Sequence, residues 1–257
     1  SVVFDDIAAL SRAGDSFIDF GFTETASIQF IDHVAQALER VTLGIAPMIA
    51  EDNPIVMNDP QGRELYDLVK GGGDPIEAYK RFAQIRATTG NPPMHNDGVR
   101  RSMWDRITSY AETHNDPGKF TALIGYEFTS SMQTNNLHRV VVYKDGKNKA
   151  NSILPFSAVE SANPEDLWRF MENYEVKTGG EVMAIPHNGN LSNGTMFDDI
   201  DLDGEPITAD YSARRARWEP LYEVTQIKGD GEAHPILSPN DEFADFQTWD
   251  KGNFGFR

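Results

Sequence analysis

Apolar residues recur at helical spacing through the first part of the chain, then give way to short β-branched runs. "SIQFIDHVAQALERV", from Ser27, sets Ile28, Ile31, Ala35, Leu38 and Val41 near a helical period and predicts a helix over 28–41. "GIAPMIAEDNP", with two prolines, predicts a loop. "DPIEAYKRFAQIRA" follows Gly71-Gly72-Gly73 and predicts a helix, with Asp74 as cap and Pro75 at its first position. "NDGVRRSMWDRITSYAETH" puts Val99, Met103, Ile107 and Tyr110 on one helical face. The pattern then changes. "TALIGYEF" and "LHRVVVYKDG" predict strands, and residues 122–128 and 137–143 are expected to pair as a hairpin. "NPEDLWRFMENYE" predicts a helix capped by Asn163, and "EVMAIPHN" and "PLYEVTQIKG" predict two more strands. Alternating strands and helices predict an α/β fold with at least a partly parallel sheet. With no long linker in view, one domain is expected over residues 1–257.

Composition narrows the function classes. The chain carries 23 Lys and Arg against 40 Asp and Glu, a net charge of −17, so nucleic acid is excluded as an expected partner. It has no cysteine, which removes disulfides, thiolate metal sites and a cysteine nucleophile. No apolar window approaches the roughly 18 residues of a membrane helix, and no export signal opens the chain. The expectation is a soluble protein, cytoplasmic or periplasmic, with no membrane partner.

Parallel α/β folds place reactive groups at the carboxyl ends of strands. By that rule Glu127, ending "TALIGYE", and His187, ending "VMAIPH", are candidates. His138 begins its strand, but an antiparallel return brings it beside Glu127. Glu232 and His234 follow "PLYEVTQIKG". Neutral imidazoles with carboxylates suit Zn, Mn or Fe as divalent ions, so Glu127, His138, His187, Glu232 and His234 are the expected metal ligands. Taken singly, each histidine also suits a buried structural position; their joint placement at strand ends carries the metal reading. The stretch "HNGNLSNG" after Ile185-Pro186 reads as a tight turn whose amides and glycines aim His187 and offer donors to an anion. Arg139 and Lys228 adjoin the rim and can hold a substrate oxyanion, or, as a basic residue in an acidic chain more often does, neutralise neighbouring acids. Arg214, Arg215 and Arg217 read as a solvated helix face, and Trp104 and Trp168 as core. No Gly-x-Ser-x-Gly elbow, Walker loop or dinucleotide fingerprint is present.

The segments "IGYEFTS", "NNLHRVVVYKD", "LPFS", "NPEDLWRFME", "AIPHNGNLSNGTMF", "RWEPLYEVTQIKGDGEAHP" and "SPNDEFADFQTW", in this order, resemble the DUF3604 family, related to the polymerase-and-histidinol-phosphatase (PHP) superfamily. The resemblance runs from about residue 44 to the end, leaving residues 1–43 atypical. It implies a distorted PHP-like (β/α) barrel whose rim of His, Asp and Glu binds metal ions and hydrolyses phosphoesters. It also implies metal-site roles for Glu127, His138 and His187, with Glu232 and His234 in a family "SExHP"-like segment. The family's opening His-x-His and closing Asp-x-His have no counterpart in this sequence, and Glu24-Thr25 stands where an acid-histidine pair is expected. The chain thus looks like an interior portion of a member, its barrel incomplete.

The expected activity is metal-dependent hydrolysis of a small anionic ester, a phosphoester or a related sulfate or phosphonate ester. One to three divalent ions activate water, with His187, Arg139 and Lys228 as catalytic side chains. The alternative is a non-catalytic barrel fragment with a partial metal site, completed by a homo-oligomer or a second chain.

Overall fold

The computed structural model describes residues 54–70, 75–226, 229–231, 234–245 and 252. The expected helix over 28–41 lies outside them. The chain divides into two compact units, Ser1–Ala122 and Leu123–Arg257.

The described part of the first unit is helical: α1 (Pro54–Asn58), α2 (Pro60–Lys70), α3 (Pro75–Thr89) and α4 (Asp97–His114). Proline opens three of them, where its missing N–H costs nothing. Asp59 caps α2 by accepting from the backbone of Gln61 and Gly62 at 2.9 and 3.0 Å. Asn96 caps α4 by accepting from Val99 N at 3.0 Å. Val56, Leu65, Met94 and Val99 form a buried cluster, with Tyr66, Phe82 and Met103 packed on it. The helices expected over "DPIEAYKRFAQIRA" and "NDGVRRSMWDRITSYAETH" are present, while the expected cap Asp74 lies outside the described residues. The loop expected over 44–54 lies outside the described residues except for Pro54, which starts a helix.

The second unit is built on three strands, β1 (Ile124–Phe128), β2 (Arg139–Tyr143) and β3 (Val182–Pro186), in the order β1-β2-β3. The expected hairpin forms, with Glu127 opposite Val140 and Phe128 opposite Arg139. β3 also runs antiparallel to β2, pairing Tyr143 with Val182 and Arg139 with Pro186. The partly parallel sheet expected from the sequence is therefore corrected: every strand pairing among the described residues is antiparallel. The reason lies in the connection. After β2 the chain passes through α5 (Lys147–Ala150) and α6 (Pro164–Thr178). It then returns to the end of β2 that it left. The Asp145 carboxylate fixes that junction, accepting from Glu181 N at 2.7 Å and Tyr174 Oη at 3.0 Å.

Helix α6 starts as the sequence predicts, with Asn163 Oδ1 accepting from Glu165 N. It ends at Gly179, whose φ of 62° is the left-handed conformation glycine accepts without strain. Its buried stripe, Leu167, Trp168, Met171 and Tyr174, has helical spacing and packs toward β3. Trp104 and Trp168 are core residues as expected. "PLYEVTQIKG" forms only the two-residue strand β4 (Thr225–Gln226), paired with β5 (Gly229–Asp230). Its first half instead buttresses the end of β3: Glu223 N donates to Pro186 O at 3.2 Å. Helices and antiparallel strands thus mix in one α/β chain, with described sheets of three and two strands. Among the described residues no helix is long and apolar enough to cross a membrane.

α7 (Ala209–Trp218) carries the arginine cluster, and its side chains are not simply solvated. Arg214 pairs with Glu165 at 3.3 Å and lies over the Trp168 ring, and Arg217 pairs with Glu175 at 2.6 Å. Between the two helices Glu219 is buried. It accepts from Arg139 Nε at 2.9 Å, Trp168 Nε1 at 2.8 Å and Arg215 Nε at 3.1 Å. Burial pushes this carboxyl up, but the charges of Arg139 and Arg215 pull harder and hold it below its ordinary 4.5. A depressed carboxylate favours the fold above its unfolded value, and that contribution is lost as pH falls through the lowered folded value. Urea midpoints for the native chain should thus drop below pH 4.5, and less steeply for Glu219→Gln measured alongside. Equal slopes would remove Glu219 from the acid response.

Candidate metal centre

Both antiparallel pairings bring the end of β1, the start of β2 and the end of β3 to one edge of the sheet. Glu127 is the penultimate residue of β1. His138 immediately precedes β2 and His187 immediately follows β3, and His187 N donates to His138 O at 3.3 Å. This backbone bond continues the ladder one step beyond the strands and holds the two histidines side by side. Their rings are 5.7 Å apart between centroids, at 81°. Both face the same carboxylate oxygen: His138 Nδ1 is 2.8 Å from Glu127 Oε1 and His187 Nε2 is 3.3 Å from it. One ligand atom from each residue lies within 4.8 Å of the others. Donors held at about 2.0–2.1 Å from one ion stand roughly 2.8 Å (octahedral) to 3.4 Å (tetrahedral) apart, so the 2.8 and 3.3 Å contacts to Glu127 have the length of edges in a coordination shell.

The three side chains are 5–9% exposed, which for ionisable groups demands compensation. Burial pushes the Glu127 carboxyl up, yet His138 and then His187 outweigh it and hold it at about 2. It is thus a carboxylate, the form that binds a cation. Neither ring nitrogen of His187 makes a hydrogen bond. Buried polar atoms left over in this way fit a divalent ion in chemistry as well as in spacing.

A family described as a protein of unknown function, DUF3604, matches residues 29–256. The chain belongs to the DUF3604 family. No curated protein and no solved structure matches it. The DUF3604 match begins at residue 29 and so takes in 29–43, a stretch the motifs alone set apart as atypical.

Around the three side chains, this DUF3604 member supplies a positioning layer. Ser131 Oγ lies 2.9 Å from His138 Nε2, the ring nitrogen opposite the one that meets Glu127, and a hydroxyl there can donate or accept and so orients the imidazole in either tautomer. Asn136 Oδ1 accepts from His138 N at 2.9 Å. Behind His187, Asn188 takes the left-handed conformation that asparagine tolerates, at φ 51° and ψ 44°. Its N–H donates to Glu223 Oε2 at 2.9 Å. A side chain on Gly189 would meet the Tyr222 hydroxyl, so the tyrosine packs against the turn where glycine leaves room for it. Ser131→Ala should weaken metal binding about 10- to 100-fold, the usual loss when an outer-shell partner of a ligand histidine is removed. Competition against a chromogenic chelator measures it. Ser131→Thr, which keeps the hydroxyl, should restore most of the loss, whereas a purely packing role would not distinguish the two.

Not every expected site residue joins this group. Arg139 follows His138 directly, and consecutive positions of an extended chain point to opposite faces. Its guanidinium is spent on Glu219 and the Leu137 carbonyl instead of facing the group. His234 stands outside the group, its Nδ1 accepting from Ile236 N at 3.2 Å. Lys228 and Glu232 lie outside the described residues. Sequence reasoning missed Ser131 and Asn136, which precede His138 in a loop without periodicity. Glu223, within the expected strand "PLYEVTQIKG", has no role in that reading either. Its contact with Asn188 spans 35 residues of sequence and leaves no local signal.

Proposed function

We propose that this DUF3604 chain is a metal-dependent hydrolase of small anionic esters, of the PHP type that its motifs resemble. The convergence of Glu127, His138 and His187 within 4.8 Å carries the reading. Structural zinc sites close with four protein ligands, whereas catalytic ones use three and keep a position open. Two histidines and one glutamate, without thiolate, are the donor set for Zn, Mn or Fe(II). A divalent ion bound there supplies Lewis acidity, polarising an ester oxygen and making water a nucleophile near neutral pH. Glu127 contributes the negative charge that holds such an ion. Ser131 and Asn136 fix the orientation of His138, and Glu223 fixes the turn behind His187. In the same reading Glu232 extends the ligand set, Lys228 steadies the substrate anion, and a PHP-like barrel surrounds the site.

The test is metal analysis of the purified protein by plasma mass spectrometry, followed by hydrolysis assays on p-nitrophenyl phosphate, its phosphodiester and sulfate analogues. At least one equivalent of Zn, Mn or Fe is expected, with ester hydrolysis abolished by chelator and restored by metal. Metal without hydrolysis of any ester would leave the binding-only alternative in its place. A folded chain that takes up no metal would sink both.

A further inference from the structure

Two buried amides, close in sequence to the ligand histidines, keep side-chain ends without a partner among the described residues. Asn136 is fully buried; its backbone N–H donates to Leu191 O at 2.9 Å and its Oδ1 accepts from His138 N, but its Nδ2 has no hydrogen-bond partner. The His138 N–H needs an acceptor, so this amide is oriented with its NH₂ as the leftover end. Asn188 is 1% exposed, and its backbone is fully used: N–H to Glu223 Oε2, carbonyl to Leu191 N. Neither Oδ1 nor Nδ2 of its side chain has a hydrogen-bond partner. Whichever way that amide is turned, it offers one donor end and one acceptor end.

The two residues belong to one structure. Leu191 bonds to both, accepting from Asn136 N and donating to Asn188 O, so the loop before β2 and the turn after β3 are clamped together. Asn188 adjoins His187, and Asn136 is two residues from His138. A buried amide left unsatisfied costs about 1–3 kcal/mol, and more than roughly 90% of buried polar groups in proteins find a partner. Two such amides, one adjoining a ligand histidine and one two residues from the other, leave donors unmatched near the metal group in sequence. The nearby guanidinium that might have met an oxyanion, Arg139, is already committed to Glu219.

We infer that the side-chain amides of Asn136 and Asn188 are donors to an oxyanion ligand at the metal group, a phosphate, phosphonate or sulfate moiety whose remaining oxygen faces the ion. The assignment rests on the metal reading above and names what that site recognises. Neutral amide donors bind such oxygens without adding charge, and the Asn188 acceptor end also takes an O–H from a protonated oxyanion or a substrate hydroxyl.

The experiment titrates inorganic phosphate into the zinc-loaded protein by calorimetry, for the native chain, Asn188→Gly and Asn136→Asp. Glycine keeps the positive φ at 188, and aspartate keeps the acceptor for His138 N while removing the NH₂. Zinc affinity, read separately by chelator competition, should change less than about threefold in Asn188→Gly. The phosphate Kd should rise about tenfold or more in each variant, the loss expected for a hydrogen bond to a charged group. Phosphate binding that is absent from the zinc-loaded native protein, or equal in all three, overturns the inference while leaving the metal reading in place. Failure of the native protein to take up zinc removes the metal reading itself, and this inference with it.

Discussion

Replacing His187 by alanine is expected to lower affinity for a divalent transition ion by more than about 100-fold, beyond the 10- to 100-fold typical of losing an outer-shell partner, while the chain stays folded. The expectation comes from how little else the imidazole does. It makes no hydrogen bond, and its polar contact is the 3.3 Å approach to Glu127 Oε1. The structural work at this position is done by the backbone, through His187 N to His138 O, and alanine keeps that bond. What the fold loses is packing against the His138 ring, an ordinary small cavity of roughly 1–3 kcal/mol. Glu127 keeps His138 at 2.8 Å, so its carboxylate is not stranded. Chelator competition for the metal and thermal unfolding of the metal-free protein separate the two effects. Unfolding with unchanged metal content would mean that the histidine is structural.

The parts of this molecule legible in the sequence are those written in local chemistry. Asn163-Pro164 and the apolar stripe behind it announce α6, and the β-branched run at 139–143 announces β2. The pairing of β1 with β2 was legible as well, because only an antiparallel return puts His138 beside Glu127. Strand direction beyond that hairpin was not. Nothing within "VMAIP" says which way it runs; the Asp145 contacts with Glu181 and Tyr174 decide it by returning the chain to the end of β2. Likewise "PLYEVTQIKG" has the composition of a strand. Its Tyr222 and Glu223 are used instead to seat the turn at Asn188 and Gly189, a demand set by residues far off in sequence. Of the expected ligands, the structure brings together the three tied to the central sheet. Arg139 takes the other of its two readings, neutralising an acid, and nothing local names that acid. Its neighbour in sequence is a ligand, but its partner in space, Glu219, lies 80 positions away.

That pairing sets the second large expected effect. Glu219→Ala should destabilise the protein by about 3–5 kcal/mol, because removing one partner of a buried ion pair leaves the others charged and uncompensated. Here the consequence is doubled: Arg139, 3% exposed at its side chain, and Arg215, at 15%, both lose their carboxylate, and Trp168 Nε1 loses its acceptor. With total stabilities of roughly 5–15 kcal/mol, a shift in melting temperature of about 10–20 °C follows. Arg139→Met should cost less, since Arg215 and Trp168 still satisfy the carboxylate and the aliphatic stem is retained. The pair of variants also decides between two employments for Arg139. An arginine that held substrate would, once replaced, weaken phosphate binding to the metal-loaded protein and leave the melting temperature nearly unchanged. An arginine that ties β2 to α6 and α7 through Glu219 does the reverse. The second outcome is expected because this guanidinium is turned to Glu219 and the Leu137 carbonyl, away from an anion on the other face of the strand.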